Sequence, residues 1–233
     1  MFAQTLKKHV SIEVLICLDR GEKLEEELGF PNLKIVNSDG QSQAKALNAG
    51  ILKARKRHIA FLEDDDFWLP SFLSVCKDVF KNTDNAFVSS NQTEITVDGE
   101  VLGVNDFPTP SGWVFDRMKV GHDIYFDENY KWHLDNEFLG QLSKRSVKRA
   151  HLVESYAPVR FDIAMRSRVT LGRMIANSKV PLQLIRHNSL VPLVTKTVHP
   201  GSGMAYIAND RIANDRSQHE RQMLQATFGC IPE

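Results

Sequence analysis

Four consecutive carboxylates, Glu63, Asp64, Asp65 and Asp66, close the run His58-Ile-Ala-Phe-Leu62 and stand just before Phe67-Trp-Leu-Pro70. Adjacent like charges repel, so a cation or solvent must neutralise them. Oxygen ligands suit hard divalent ions, and Mg²⁺ or Mn²⁺ commonly takes one or two carboxylates and completes its shell with substrate phosphates. The plainer alternative is structural: Asp65 or Asp66 caps a helix near Pro70 and the other acids face water. Four further residues have side chains that can do chemistry. Asp19 ends another apolar run, Asp135 and Glu137 open a helical pattern, and His199 sits in Val198-His-Pro-Gly-Ser202. Each has a bland rival, namely a turn former before Gly21, acids favoured by a helix dipole, and an ordinary loop histidine.

Holding such groups together requires strands that end at the acids. Residues 59–62 are short and apolar, the form of a buried strand, and Pro70 with Ser71 predicts a helix over 70–80 with Phe72, Leu73, Cys76, Val79 and Phe80 inward. The acids then lie at the carboxyl end of a strand, the edge at which open α/β sheets bind ligands. Residues 12–18 read as a similar strand ending in Asp19, residues 22–28 as a short helix, and 33–36 as a third strand. From Gln41 the period changes, with Ala44, Leu47 and Ile51 at helical spacing. This alternation predicts an α/β fold with a mostly parallel central sheet and helices on both faces.

Further along, residues 86–89 predict a strand, and 94–97 with 100–104 a hairpin closed by a type I′ turn at Asp98-Gly99. Residues 105–112 read as loop, and 113–123 fit no single pattern. Leu134, Phe138, Leu139 and Leu142 mark one helix face, 182–185 and 191–194 predict strands, and 205–228 predicts one polar helix. No repeat or linker divides the chain, so one domain over residues 1–233 is expected.

Lys plus Arg equals Asp plus Glu at 29 each, which removes any general basic signal for nucleic acid. Cys17, Cys76 and Cys230 are odd in number and widely spaced, which fits reduced thiols in the cytoplasm rather than a disulfide frame or zinc site. No apolar stretch approaches the ~18 residues of a membrane span. Two basic groups, residues 53–57 and the set Lys144, Arg145, Lys148 and Arg149, are candidates for peripheral attachment at the inner face of a membrane, with solvated helix faces as the simpler explanation. Trp68 and Trp132 suit either stacking on a ligand ring or core packing.

Asn48-Ala-Gly-Ile51 followed by Ile59-Ala-Phe-Leu-Glu-Asp-Asp-Asp-Phe-Trp-Leu-Pro70 resembles the central signature of family 2 glycosyltransferases of the GT-A fold, an Asn-x-Gly helix before a strand ending in a DxD-type motif. Ala3-Gln-Thr-Leu6 and Ile12-Glu-Val-Leu-Ile-Cys-Leu-Asp19 resemble the end of that family's first helix and its second strand. Leu134-Asp135 resembles its base-bearing acidic pair, and the His199 loop a late loop of the domain. Two departures accompany the likeness: the family's first strand, with a Pro-x-Tyr-Asn-like motif, is expected before Met1, and Leu18-Asp19 stands where two acids are common.

The resemblance implies a metal-dependent, inverting transfer of a sugar from a nucleotide-sugar donor, a UDP-sugar, to a saccharide or lipid-linked acceptor. It assigns the metal, Mg²⁺ or Mn²⁺, to Glu63, Asp65 and Asp66, and nucleotide-sugar contacts to Asp19, Asn48, Asp64, Asp65 and His199. The DxD spacing corresponds to Glu63-Asp64-Asp65. Asp135 becomes the base, with Glu137 in reserve. The competing readings are a catalytically incomplete remnant that binds a partner, and a nucleotidyltransferase, for which the chain lacks a Gly-rich basic loop near its start.

Overall fold

A computed structural model describes residues 11–24, 32–107, 109–155 and 182–232. Its first elements are β1 (Val14–Leu18), β2 (Leu33–Asn37), α1 (Gln43–Lys53) and β3 (His58–Ala60), followed by β4 (Phe67–Trp68) and α2 (Phe72–Asn82). Then come β5 (Phe87–Ser90), β6 (Gln92–Thr96), β7 (Val101–Asn105), β8 (Val114–Asp116), α3 (Arg117–Val120) and α4 (Leu134–Lys144). The chain ends with β9 (Arg149–Val153), β10 (Gln183–Arg186), β11 (Val194–Val198), α5 (Gly203–Asn209) and α6 (Arg211–Phe228). The helix expected at 22–28 lies largely outside the described residues.

The α/β class expected from the sequence holds, but the central sheet is mixed. Its order is β10-β9-β5-β8-β3, with β9 parallel to both β5 and β10 and β8 antiparallel to both β5 and β3. β1 and β2 form a separate parallel pair, and β4-β11-β6-β7 form a third sheet. Strand β8 sits in residues 113–123, which have no clear period, and it is this insertion that breaks the parallel run.

Alternation along the central strands builds a core on each face, because successive side chains point to opposite sides. Phe87 and Phe115 face α4, joining Trp113, Phe126, Phe138, Leu139 and Leu142. Val88, Val114, Ala150 and Leu152 face α2, joining Phe72, Cys76 and Val79. The helix face read from Leu134, Phe138, Leu139 and Leu142 is therefore the buried one. On its far side α6 closes in so tightly that a Cβ on Gly140 would fall 2.6 Å from the Phe228 ring, which is why a glycine stands there.

Three local expectations need correction. Only Gly99 has positive φ at the hairpin tip, so the turn is not type I′, which needs both central residues there. The strand expected at 191–194 forms instead at Val194–Val198, where it aligns with β6 from Val194↔Gln92 to Val198↔Thr96. The long terminal helix breaks at Asp210, whose extended backbone ends α5 and whose side chain caps α6 through the Ala213 N–H at 2.7 Å.

Candidate active site

The acidic run spans a crossing between sheets. Strand β3 ends at Ala60 in the central sheet, and the chain re-enters regular pairing only at Phe67–Trp68, antiparallel to Val194–Thr195 of β11. Beyond that two-residue pairing β11 runs on alongside the acids, and Thr197 joins it to them. The Thr197 N–H donates to Asp66 Oδ1 at 2.9 Å, and the Thr197 hydroxyl donates to the Asp65 carbonyl. Helix α2 begins after Ser71, so neither Asp65 nor Asp66 is its cap.

Each acid has its own surroundings. Glu63 anchors inward: its N–H donates to Ser111 Oγ at 2.9 Å, that hydroxyl lies 3.3 Å from Oε2, and Gln43 Nε2 donates to Oε1. Burial first, then the charges of Asp66 and Asp65, push its carboxyl up to about 7. Asp66 is 9% exposed, its Oδ2 is buried with no hydrogen-bond partner within bonding geometry, and burial raises its pKa against the lowering pull of the Ser111 hydroxyl and the Thr197 N–H. Asp64 is exposed. Asp65 is half open and places Oδ2 3.1 Å from His199 Nε2. The expected His199 is thus brought to the acidic loop.

Asp135 is the second residue of α4 and accepts the Asn136 N–H on Oδ1 at 2.8 Å. Burial raises its pKa, while the Asn136 amide, His133 and Lys196 offset part of that rise. The Lys196 charge also acts to lower Glu63 and Asp66. Glu137 is turned inward, 6% exposed, and is held by Gln141 Nε2 at 2.8 and 3.0 Å.

Asp19 closes β1 beside the amino end of α1. Burial and then Glu22 raise its carboxyl, the Ser42 amide lowers it, and Oδ1 is buried without a partner. Ser42 is the N-cap of α1 and Gln43 is its first residue, so the same helix terminus touches Asp19 and Glu63. Asn48 is committed elsewhere: its carboxamide donates to the Phe126 carbonyl at 2.9 Å and accepts the Phe126 N–H at 2.8 Å. It fastens α1 to the segment that leads towards α4.

Gln43, Ser111, Lys196 and Thr197 were not singled out in the sequence. Lys196 and Thr197 carry one signal, closeness to His199 in a β-rich run; Ser111 carries none, since only the fold puts a loop 48 residues away against Glu63. Trp68 packs on Phe72 and donates Nε1–H to the Ser111 carbonyl, while Trp132 packs against Tyr206.

Among the described residues no three His, Cys, Asp or Glu side chains converge as a closed metal cage. The donors fit a hard cation in an open site: all oxygen, mutually repelling, with the orphaned Asp66 Oδ2 beside the accessible Asp65. An ion held by one or two carboxylates leaves the remaining positions to phosphate oxygens.

The basic groups considered for membrane attachment are largely paired. Arg55 meets Glu13, Arg57 meets Asp116, Arg145 meets Asp123 and Lys148 meets Asp84, and Arg149 is only 3% exposed. Arg149 therefore belongs to the interior, because as the first residue of β9 its side chain points into a buried sheet face. Among the described residues no helix is long and apolar enough to cross a membrane.

The family model described as glycosyl transferase family 2 matches residues 18–164, more than half of the chain. No curated protein matches. Among solved structures, residues 1–349 of S. aureus TarS in complex with UDP are 14% identical at a TM-score of 0.45, covering 85% of this chain and 55% of that one. A second structure of S. aureus TarS has the same identity and TM-score, covering 84% of this chain and 33% of its own. The chain thus spans about half the length of the first and a third of the second.

Proposed function

This chain belongs to glycosyl transferase family 2, and on that premise we propose a metal-dependent, inverting transfer from a UDP-sugar to a hydroxyl of a saccharide or lipid-linked acceptor. The observation that supports it best is the acidic loop itself, where Asp66 Oδ2 is buried without a partner and the adjacent Asp65 places Oδ2 3.1 Å from His199 Nε2. The Lys196 charge favours the ionised forms of Glu63, Asp66 and Asp135 alike.

Asp65 and Asp66 Oδ2 would hold the divalent ion, with Glu63 close by. Bound there, the ion supplies Lewis-acid stabilisation for charge building on the leaving diphosphate. His199 orients Asp65, and Thr197 fixes the loop that carries both acids. Asp19, at the end of β1, is the contact for base or ribose. Lys196 is a cation for the diphosphate, and Asp64 lies on the donor side. Asn48 contributes by holding the Phe126 segment. Asp135 accepts the acceptor's proton: burial makes it a stronger base than an ordinary carboxylate, and Asn136 leaves its second oxygen for the hydroxyl. Attack opposite the leaving group inverts the anomeric centre. Glu137, tied to Gln141, is the reserve.

Calorimetric titration of UDP with Mn²⁺ and with EDTA, for wild type and Asp65→Ala, tests the reading. Metal-dependent binding lost in the variant is expected. Binding that ignores both the chelator and the substitution would move the diphosphate away from the acidic loop. A folded protein with no UDP binding would favour the incomplete, partner-binding remnant. The configuration of the first-formed product, read by NMR, decides between inversion and retention.

A further inference from the structure

We propose that Glu220, on the C-terminal helix and outside the matched family segment, is a positioning residue for Asp135. The proposal rests on the reading of Asp135 as the base.

Glu220 is 1% exposed. Its Oε1 accepts the Lys131 N–H at 2.9 Å, and its Oε2 accepts the Trp132 N–H at 2.8 Å and the His133 N–H at 3.1 Å. These three consecutive amides lead directly into α4, with His133 as the N-cap. The first N–H groups of a helix and of its approach have no partner within the helix, and a side chain close in sequence normally serves them. Here His133 makes no such side-chain cap, and the acceptor comes from 87 to 89 residues away.

The same surface of α6 holds the N-cap ring. His133 Nε2 lies 2.8 Å from Ser217 Oγ, and Nδ1 lies 3.1 Å from Asn136 Oδ1. The Asn136 side-chain Nδ2 in turn donates to the Pro232 carbonyl at 2.5 Å. Residues 133 and 136 are thus both tied to the C-terminal segment, and Asp135 stands between them. A buried carboxylate is unfavourable unless fully bonded. Among the described residues its one cation is Arg216, with Nε at 3.1 Å, so Glu220 uses its charge chiefly on these backbone dipoles. Burial alone would be served as well by Leu or Met. What the carboxylate adds is direction: it sets where the first turn of α4 starts, and so where Asp135 points.

The test is a double-mutant cycle on Glu220→Gln and Asp135→Asn, with UDP release from UDP-glucose, UDP-galactose and UDP-N-acetylglucosamine as the readout for the donor turned over fastest. Gln keeps the size but turns an NH₂ towards an amide N–H. On the proposal, Glu220→Gln lowers kcat roughly tenfold with donor KM within about twofold, and adds no further loss in the Asp135→Asn background. Equal losses in both backgrounds, or a lower melting temperature with unchanged kcat, would overturn it. If Glu220→Gln does not fold, Ser217→Ala loosens the same clamp and is expected to lower kcat about threefold, again only when Asp135 is present; unchanged kcat there overturns the proposal. Full activity in Asp135→Asn, or no release by wild type from any of the three donors, would instead overturn the base reading, and this proposal with it.

Discussion

Glu63→Gln removes a carboxyl whose ionisation the fold opposes. Burial, then Asp66 and Asp65, push that group from 4.5 up to about 7. The unfolded chain releases the proton near 4.5 and the folded chain near 7, so between those values the native state holds more protons. Stability from this group is complete below about 4.5 and is lost as pH rises through 7. With about 1.4 kcal/mol per pH unit, the loss is about 3.3 kcal/mol at pH 8, of which about 2.5 falls between pH 5 and 8. Wild type alone would not reveal it, because His151 runs the other way. Burial lowers that ring from 6.5 to about 4, so its contribution is present above 6.5 and lost as pH falls. Subtracting wild type from the variant cancels His151. Urea unfolding of both proteins in EDTA at pH 5, 6, 7 and 8 should therefore show Glu63→Gln gaining about 2.5 kcal/mol over wild type across that range. A difference that stays flat with pH would refute the reasoning and mean that the native Glu63 carboxyl is solvated.

Two further perturbations probe the frame. Phe138 is fully buried with its ring centroid 4.5 Å from Phe126, 5.6 Å from Trp113 and 6.0 Å from Phe115, so Phe138→Ala should cost about 3–5 kcal/mol in urea unfolding, and a cost under ~1 would mean that α4 does not seal this face. Asn48→Ala strands both backbone groups of Phe126 and should cost about 2 kcal/mol or more. Asn48→Asp keeps the acceptor but sets a carboxylate oxygen against the Phe126 carbonyl, so its thermal midpoint should be no higher than that of the Ala variant at pH 8. A clear rescue by Asp would show that the donor half of the clamp is dispensable.

Much of the frame was legible because it is local. Strands β1, β2, β3, β5 and β10 follow short apolar runs, and α1, α2 and α4 follow helical spacing, so each element could be read from its own dozen residues. The acidic run could be singled out because adjacent like charges ask for a neutralising partner, Asp19 because it ends an apolar run, and Asp135 through the family resemblance at the start of a helical pattern. Their environment could not be read, for want of any local signal. Whether Asp66 faces an ion or a backbone depends on Thr197, 131 residues away, and the clamp of Asn48 depends on Phe126, 78 away.

Composition and periodicity by themselves determined an α/β chain with acids at the carboxyl ends of its strands, since burial of apolar residues at a repeat of 2 or 3.6 needs no knowledge of the partner. Only the tertiary structure decided that β8 enters antiparallel, that β11 forms at Val194–Val198, that Thr197 binds the loop of Asp65 and Asp66, and that Glu220 caps the approach to α4. Each of these is a pairing across a large sequence separation, set by which ladders and amides remain to be satisfied once the local elements have packed.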